Sequence, residues 1–408
     1  MRTPNQSKSA VSSILVIGAG CAIAIIIFGP RSTLGLFVEP VTSARGWGRD
    51  VFALAMAIQQ LVWGAAQPIG GAIADRFGAW KAVTGGAVLY AAGMVMMSFA
   101  TTTGELYFTA GILIGAGLAG GGLPVVVAAV GKCVSPERRS LALGIVTAGS
   151  SLGQFTFAPL GLWFIGEFGW VIALSLLAVP LLTLPIIALP FRHSSGSNSI
   201  AARNTESFSQ SLSRACKHRS YVLLNCGFFV CGFHVSFITV HLPPYFIDLG
   251  IEASEAALAL SLIGLFNVLG AVLAGFLGHR YSKRYLLSLL YLARGIVIAI
   301  FLISDKSFSA VVLFSAALGL LWLSTVPLTS GLVAVMFGTE RLGTLFGVVF
   351  FSHQIGAFIG IWLGGYLYET QGSYQSTWAI AVGLSLLAAL LHLPIEERNA
   401  LAEPMPAA

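Results

Sequence analysis

Apolar residues run in long unbroken stretches near 12–38, 51–73, 80–100, 105–131, 141–165 and 170–190, and again near 221–246, 255–277, 285–304, 308–332, 343–367 and 375–394. Each is close to the roughly 20 residues that an α-helix needs to cross a bilayer. Ten-residue segments of alternating polarity, the mark of a membrane β-barrel, are absent. The pattern predicts an all-α membrane protein with twelve transmembrane helices in two pseudo-symmetric six-helix bundles. The symmetry is legible because the second set repeats the first at an offset of about 203 residues. Pro40 aligns with Pro243 and Pro124 with Pro327. Gly71-Ala-Ile-Ala-Asp75-Arg76 recurs as Gly275-Phe-Leu-Gly-His279-Arg280, and Glu137-Arg138 recurs as Glu340-Arg341. A repeat of apolar helices directs attention to polar residues at corresponding positions of the two halves.

The longest polar break, 192–219, is rich in Ser and basic residues. It divides the chain into an N-terminal bundle (1–191), a cytoplasmic linker (192–219) and a C-terminal bundle (220–408). A flexible solvated tether is the expectation for the linker, with a regulatory docking site as the alternative. The first apolar run follows Arg2 and Lys8, as a secretory signal would. It is too long for one, and no small-residue cleavage site follows, so it is read as a retained helix. Many glycines fall in the fourth and eleventh runs, where they allow helix backbones to approach closely in lipid.

Composition agrees: 56% hydrophobic residues and 9% charged, against roughly 25% charged in soluble proteins. The net charge of +6 reports topology and not a nucleic-acid partner. Nearly all Lys and Arg fall on one set of loops, while only Arg45, Arg49 and Lys306 fall on the other. This bias places both termini in the cytoplasm. The cysteines (Cys21, Cys133, Cys216, Cys226 and Cys231) show neither paired nor zinc-ligand spacing. No cofactor or metal is expected, nor an enzyme, since no nucleophile–base set is visible.

Between the second and third runs lies Gly71-x3-Asp75-Arg76-Phe77-Gly78-x2-Lys81. It resembles the loop signature of the major facilitator superfamily. A carboxylate and cations at cytoplasmic helix ends form a latch that is released when the lobes rotate. Arg138, Arg280 and Arg341 are further candidates for this gate. The stretch Glu137-Arg138-Arg139-Ser-Leu141-Ala142-Leu-Gly144 resembles a signature of the monocarboxylate transporters and their bacterial relatives. Phe28-Gly29-Pro30-Arg31-Ser32 is similar to the Pro-Lys-Ser segment where those transporters place a substrate-binding lysine. The acidic first-helix signature of animal members is missing, which suggests a bacterial branch nearer the oxalate/formate antiporters.

Arg31 is the leading candidate for substrate binding. An arginine inside a span costs roughly 2.5–3.5 kcal/mol on insertion scales, so it normally faces a cavity or a partner. A guanidinium holds a carboxylate through two parallel hydrogen bonds. Pairing of Arg31 with Glu39 or Asp50 is the alternative. Shifted by the repeat, Arg31 falls on His234, and the resemblance implies that the first and seventh helices both line the cavity. His241 lies one heptad further, before Pro243-Pro244, which are expected to end or bend the helix. His353 stands where the oxalate/formate antiporters carry a lysine. His234 and His353 are therefore candidates for substrate binding, completing an electropositive pocket with Arg31, and His234, His241 and His353 are candidates for proton coupling, with packing roles as the alternative. Where the monocarboxylate pattern expects an acid and an arginine in the eighth helix, this chain has Asn267 and Ala271. Gln59, Gln60, Gln154 and Asn267 are candidates for neutral hydrogen bonding in the cavity. Arg294 is the other deep cation, expected to make a structural pairing or to replace the missing arginine.

The expected function is a secondary active transporter of a small organic anion, a monocarboxylate or short dicarboxylate, working by alternating access with proton coupling or exchange. It is expected in the bacterial inner membrane, as a functional monomer. The alternative is an exporter of amphipathic drugs or metabolites, binding through Phe37, Trp63, Phe155 and Phe350.

Overall fold

The computed structural model describes residues 4–192, 208–338 and 342–398, with side chains except at 4–12, 136–140 and 208–211. The described residues form helices without strands. Among the described residues ten stretches are long and apolar enough to cross a membrane; division of one of them at Gly169, with the helix Arg49–Phe77, makes twelve segments, beginning with α1 (Ser13–Arg45), α2 (Arg49–Phe77), α3 (Ala79–Phe99) and α4 (Thr103–Cys133). Next come α5 and α6, the two parts of Leu141–Phe191 on either side of Gly169, whose φ of 73° turns the chain between them. The second set is α7 (Arg219–Asp248), α8 (Ala253–Arg280), α9 (Lys283–Ile303), α10 (Phe308–Phe337), α11 (Leu342–Gln371) and α12 (Gln375–His392). The chain is a multi-pass helical membrane protein.

By contacts the chain forms two compact units. The first comprises Met1–Ser197 with Thr239–Leu265, and the second Asn198–Ile238 with Phe266–Ala408. The division by repeat therefore differs from the division by contact at one place, the hairpin joining α7 to α8.

In the first unit, α3 and α4 touch backbone to backbone: a Cβ on Gly117 would sit 2.7 Å from Tyr90 N and 2.8 Å from Gly86 O. α4 is not one regular helix. A capping box at Thr102 and Glu105 starts it, Tyr107–Leu113 widens into a π-helix, and extended Gly122 breaks it before Leu123–Cys133. In the second unit, α10 breaks at the position related by the repeat, between Leu321 and Thr325. Two triplets, Gly120-Gly121-Gly122 and Trp322-Leu323-Ser324, followed closely by Pro124 and Pro327, mark the two breaks in sequence. α7 and α11 also approach closely, with Gly356 facing the carbonyl of Phe229 and Gly232 facing that of His353. The glycine-rich runs are thus close-packing surfaces.

α1 stays α-helical through Pro30 to Thr33 and passes through a 3₁₀ turn, Leu34–Phe37, into Val38–Arg45. Two expectations need correction. Pro243 and Pro244 do not end α7, which continues to Asp248. The linker is not wholly a flexible tether: Phe208–Lys217 is a helix, because Phe208, Leu212 and Ala215 repeat at helical spacing and Ala215 is fully buried. The rest of that expectation, 193–207, lies outside the described residues.

Candidate functional site

Arg31 sits on the last turn of the regular part of α1 and is half-buried. One of its Nη groups donates to Gln60 Oε1 on α2 at 3.2 Å. Its guanidinium lies over the Trp63 ring, 5.0 Å from the centroid, which suits a weakly hydrated planar cation. Trp63 is fixed in turn by an edge contact with Phe28 and a bond from Nε1 to Gln67 Oε1 at 3.0 Å. Tyr90 on α3 lies within electrostatic range. Two donors here are buried without partners, Arg31 Nε and Tyr90 Oη. No carboxylate among the described residues lies within salt-bridge distance of Arg31. Tyr90 was not singled out from sequence, since a tyrosine in an apolar run carries no local signal.

Glu39, the sequence alternative for Arg31, is engaged elsewhere. Arg49 donates to Glu39 Oε2 at 2.9 Å and holds Asp248 bidentately, at 2.6 Å to Oδ2 and 2.8 Å to Oδ1. The three residues belong to the first unit and tie the start of α2 and the end of α1 to the hairpin Thr239–Leu265. Gly35 lets that hairpin close: its Cα faces the carbonyls of Thr239 and Val240. Glycine is needed because a side chain would collide with both. This trio was invisible in sequence, because Arg49 and Asp248 are separated by 199 residues.

Apart from Gln60, which accepts from Arg31, the neutral candidates are engaged with backbone. Gln59 Nε2 donates to Ala110 O inside the π-helix at 2.8 Å, satisfying an irregular segment. Gln154 Nε2 donates to Leu260 O of the hairpin at 3.0 Å. Asn267 Oδ1 accepts from Leu323 N at 2.9 Å, at the break in α10. Arg294 serves the same break, donating through Nη2 to the carbonyls of Leu321 and Trp322 at 2.5 and 2.7 Å. It is fully buried, and its Nε and Nη1 have no partner.

The three candidate histidines are interior. His234 Nε2 bonds Ala381 O on α12 at 2.8 Å, with Ser385 Oγ at 3.4 Å, while its Nδ1 has no partner. His241 is fully buried in the portion of α7 that belongs to the first unit. His353 Nδ1 lies 3.2 Å from Gln354 Oε1, and its ring stacks on Phe350. Among the α10 hydroxyls, Ser324 bonds its own helix through Leu320 O. Thr325 instead meets Cys231 Sγ at 3.2 Å, and Thr329 Oγ1 has no partner.

At the opposite end of the first unit, Gly71, Asp75 and Arg76 end α2, and Gly78 (φ 94°) turns the chain toward Lys81. Asp75 pairs with Lys132, at the end of α4, at 2.6 Å. Arg76 and Lys81 flank the Phe77 ring at 5.2 and 5.9 Å. Arg280 is exposed and lies over Phe276. The side chain of Arg138, and Arg341 altogether, lie outside the described residues.

The comparisons with known proteins agree with this architecture. A rat protein, monocarboxylate transporter 13 of Rattus norvegicus, is 30% identical over 376 residues, covering 89% of this chain and 84% of the relative. Monocarboxylate transporter 12 of Xenopus laevis is 27% identical over 348 residues. An uncharacterised MFS-type transporter of Bacillus subtilis (strain 168), YcxA, is 24% identical over 383 residues, covering 89% of this chain and 90% of that one. The crystal structure of a bacterial homolog of the human lysosomal transporter Spinster, inward-facing and unoccupied, shares the fold with a TM-score of 0.76 at 16% identity. That match covers 94% of this chain and 98% of the other. The Major Facilitator Superfamily pattern matches residues 20–252 and again 224–405, and with twelve helices in two repeated sets the chain belongs to that superfamily of secondary transporters.

Proposed function

We propose that this protein carries small organic anions, monocarboxylates or short dicarboxylates, across the membrane by alternating access, coupled to a proton or to exchange of a second anion. One observation carries the reading. Arg31 is a permanent cation inside a span whose neighbouring carboxylate is taken by Arg49, and it and Tyr90 keep two buried donors without acceptors. Such a pair suits a planar two-oxygen acceptor: one carboxylate oxygen on the guanidinium, the other on the phenol, with Trp63 excluding water. The likeness to monocarboxylate transporters 12 and 13 supports the same substrate class. In this reading the two six-helix halves, 1–191 and 220–408, are the moving lobes of a functional monomer. It resides in the plasma (bacterial inner) membrane with both termini cytoplasmic, and the Asp75 loop forms a cytoplasmic gate.

A thermal-shift screen of the purified protein tests the substrate class. A ligand at a hundred times its Kd adds about 2.7 kcal/mol of stability. Short carboxylates should stabilise the wild type, their amides should not, and Arg31→Gln should erase the difference. Equal stabilisation by an acid and its amide would overturn the proposal.

A further inference from the structure

The loop between α8 and α9 copies the Asp75 loop without its acid. His279 stands at the position of Asp75 and Ser282 at that of Gly78. Where Gly78 turns the chain at φ 94°, Ser282 does so at φ −59° and becomes the residue before α9. The Ser282 hydroxyl makes no bond to the α9 backbone. Yet the first N–H groups of a helix need acceptors and favour a negative charge. The loop has none to give: between Gly278 and Arg284 stand His279, Arg280 and Lys283 and no acid.

The carboxylate arrives from beyond α12. Glu397 Oε1 accepts from Arg284 N at 2.7 Å and from Ser282 Oγ at 2.5 Å. It thus caps α9 across 113 residues of sequence. The segment that carries it is held on both sides. Arg284 Nη1 donates to Ile395 O at 2.9 Å, and the Ile395 side chain is fully buried. Glu396 N donates to Ser220 Oγ at 3.0 Å, and Ser220 lies buried on the first turn of α7. Residues 393–397 therefore run from the end of α12 past the starts of α9 and α7, all within the second unit. The first unit meets the same need differently. There Asp75 pairs with Lys132. Arg192, just after α6, lies over the Trp80 ring at 5.9 Å, and Trp80 Nε1 donates to Pro185 O at 2.7 Å. In each repeat the end of the sixth helix is fastened to the start of the third.

We infer that Glu397 is a positioning residue of the transport cycle. It supplies the acid missing from the α8–α9 loop and straps the starts of α7 and α9 to the end of α12, so that the three move as one piece. A carboxylate that only capped α9 would leave α7 unaffected. The strap couples the two helices because Glu396 and Glu397 are consecutive: once the grip on α9 is lost, the segment lifts from Ser220 as well. The structural part of this inference is independent of the substrate. The part that concerns transport rests on the proposed anion.

Hydrogen exchange of the purified full-length protein tests the strap. Leu286 N, bonded to Ser282 O, reports the start of α9, and Tyr221 N and Val222 N, bonded to His218 O, report the start of α7. Glu397→Ala should speed exchange about fivefold at both places, the usual effect of losing a cap. Ser220→Ala, which cuts the α7 attachment alone, should speed it only at α7. Glu397→Gln keeps an acceptor oxygen and should lie between, and it reads the same amides if the alanine variant misfolds. Acceleration confined to α9 in Glu397→Ala overturns the coupling, and no acceleration at either place overturns the cap. In proteoliposomes Glu397→Ala should lower the maximal rate of carboxylate uptake by a similar factor with an unchanged half-saturating concentration, since it touches none of the residues around Arg31. An unchanged maximal rate overturns the positioning role. Absence of any carboxylate flux in the wild type overturns the proposed function and leaves the exchange result standing.

Discussion

Replacing Arg49 by Met should release the α7–α8 hairpin from the first unit, and the structure sets the size of the effect. The substitution deletes three charge-assisted hydrogen bonds, at 2.6, 2.8 and 2.9 Å, and leaves Glu39 and Asp248 facing each other. The side chains of Arg49 and Asp248 are 10% and 29% exposed, so this pair is partly desolvated, while Glu39 at 40% is well hydrated. Removing one member of a buried pair costs about 3–5 kcal/mol. Hydration of the carboxylates brings this to about 3 kcal/mol for Arg49→Met. Glu39→Gln should cost under about 1 kcal/mol, as an exposed pair does. Hydrogen exchange at Leu249, Gly250 and Ile251 reports opening directly, since these amides bond Tyr245 O, Ile247 O and Phe246 O beside Asp248. At 1.4 kcal/mol per factor of ten, Arg49→Met should speed their exchange about a hundredfold. Adding Asp248→Leu to Arg49→Met should recover about 1–2 kcal/mol, because the stranded carboxylate is then gone. Unchanged exchange in a folded Arg49→Met protein would refute the latch.

Two further expectations concern packing and the helix break. Gly232→Val should prevent stable folding or cost at least the about 1–3 kcal/mol of overpacking, since its Cα faces the His353 carbonyl; detergent melting curves read this. Asn267→Ala strips the acceptor from Leu323 N and should lower stability by about 1–3 kcal/mol, visible as a lower melting temperature with unchanged helical content.

What the sequence discloses here follows the range of the interactions. Twelve spans and their internal repeat are legible because lipid demands apolar length and offers the backbone no water. The breaks in α4 and α10 are marked by Gly120-Gly121-Gly122 with Pro124 and by Ser324 with Pro327. The π-helix at Tyr107–Leu113 carries no such mark, because it depends on Gln59 reaching across from α2. Arg31 stands out because a charge inside an apolar run is rare. Of its companions, Gln60 and Trp63 are legible only as separate cavity candidates and Tyr90 not at all, since each comes from another helix. Arg294 stands out for the same reason, as a deep cation, but its partners do not, because they are carbonyls at the irregular backbone of α10. The helix Phe208–Lys217 lies in a stretch dominated by Ser and basic residues, and only the spacing of three apolar side chains betrays it.

Uptake of a labelled short carboxylate by proteoliposomes carrying wild type, Arg31→Gln or Arg31→Lys is the most direct measurement of whether Arg31 receives the anion. The one charge-assisted hydrogen bond from the guanidinium to the anion, worth about 1.5–3 kcal/mol, predicts that Arg31→Gln loses about tenfold to a hundredfold in uptake at subsaturating substrate. Arg31→Lys, which keeps the charge but not the planar guanidinium, should fall between. Uptake by a folded Arg31→Gln protein within twofold of the wild type would contradict the assignment.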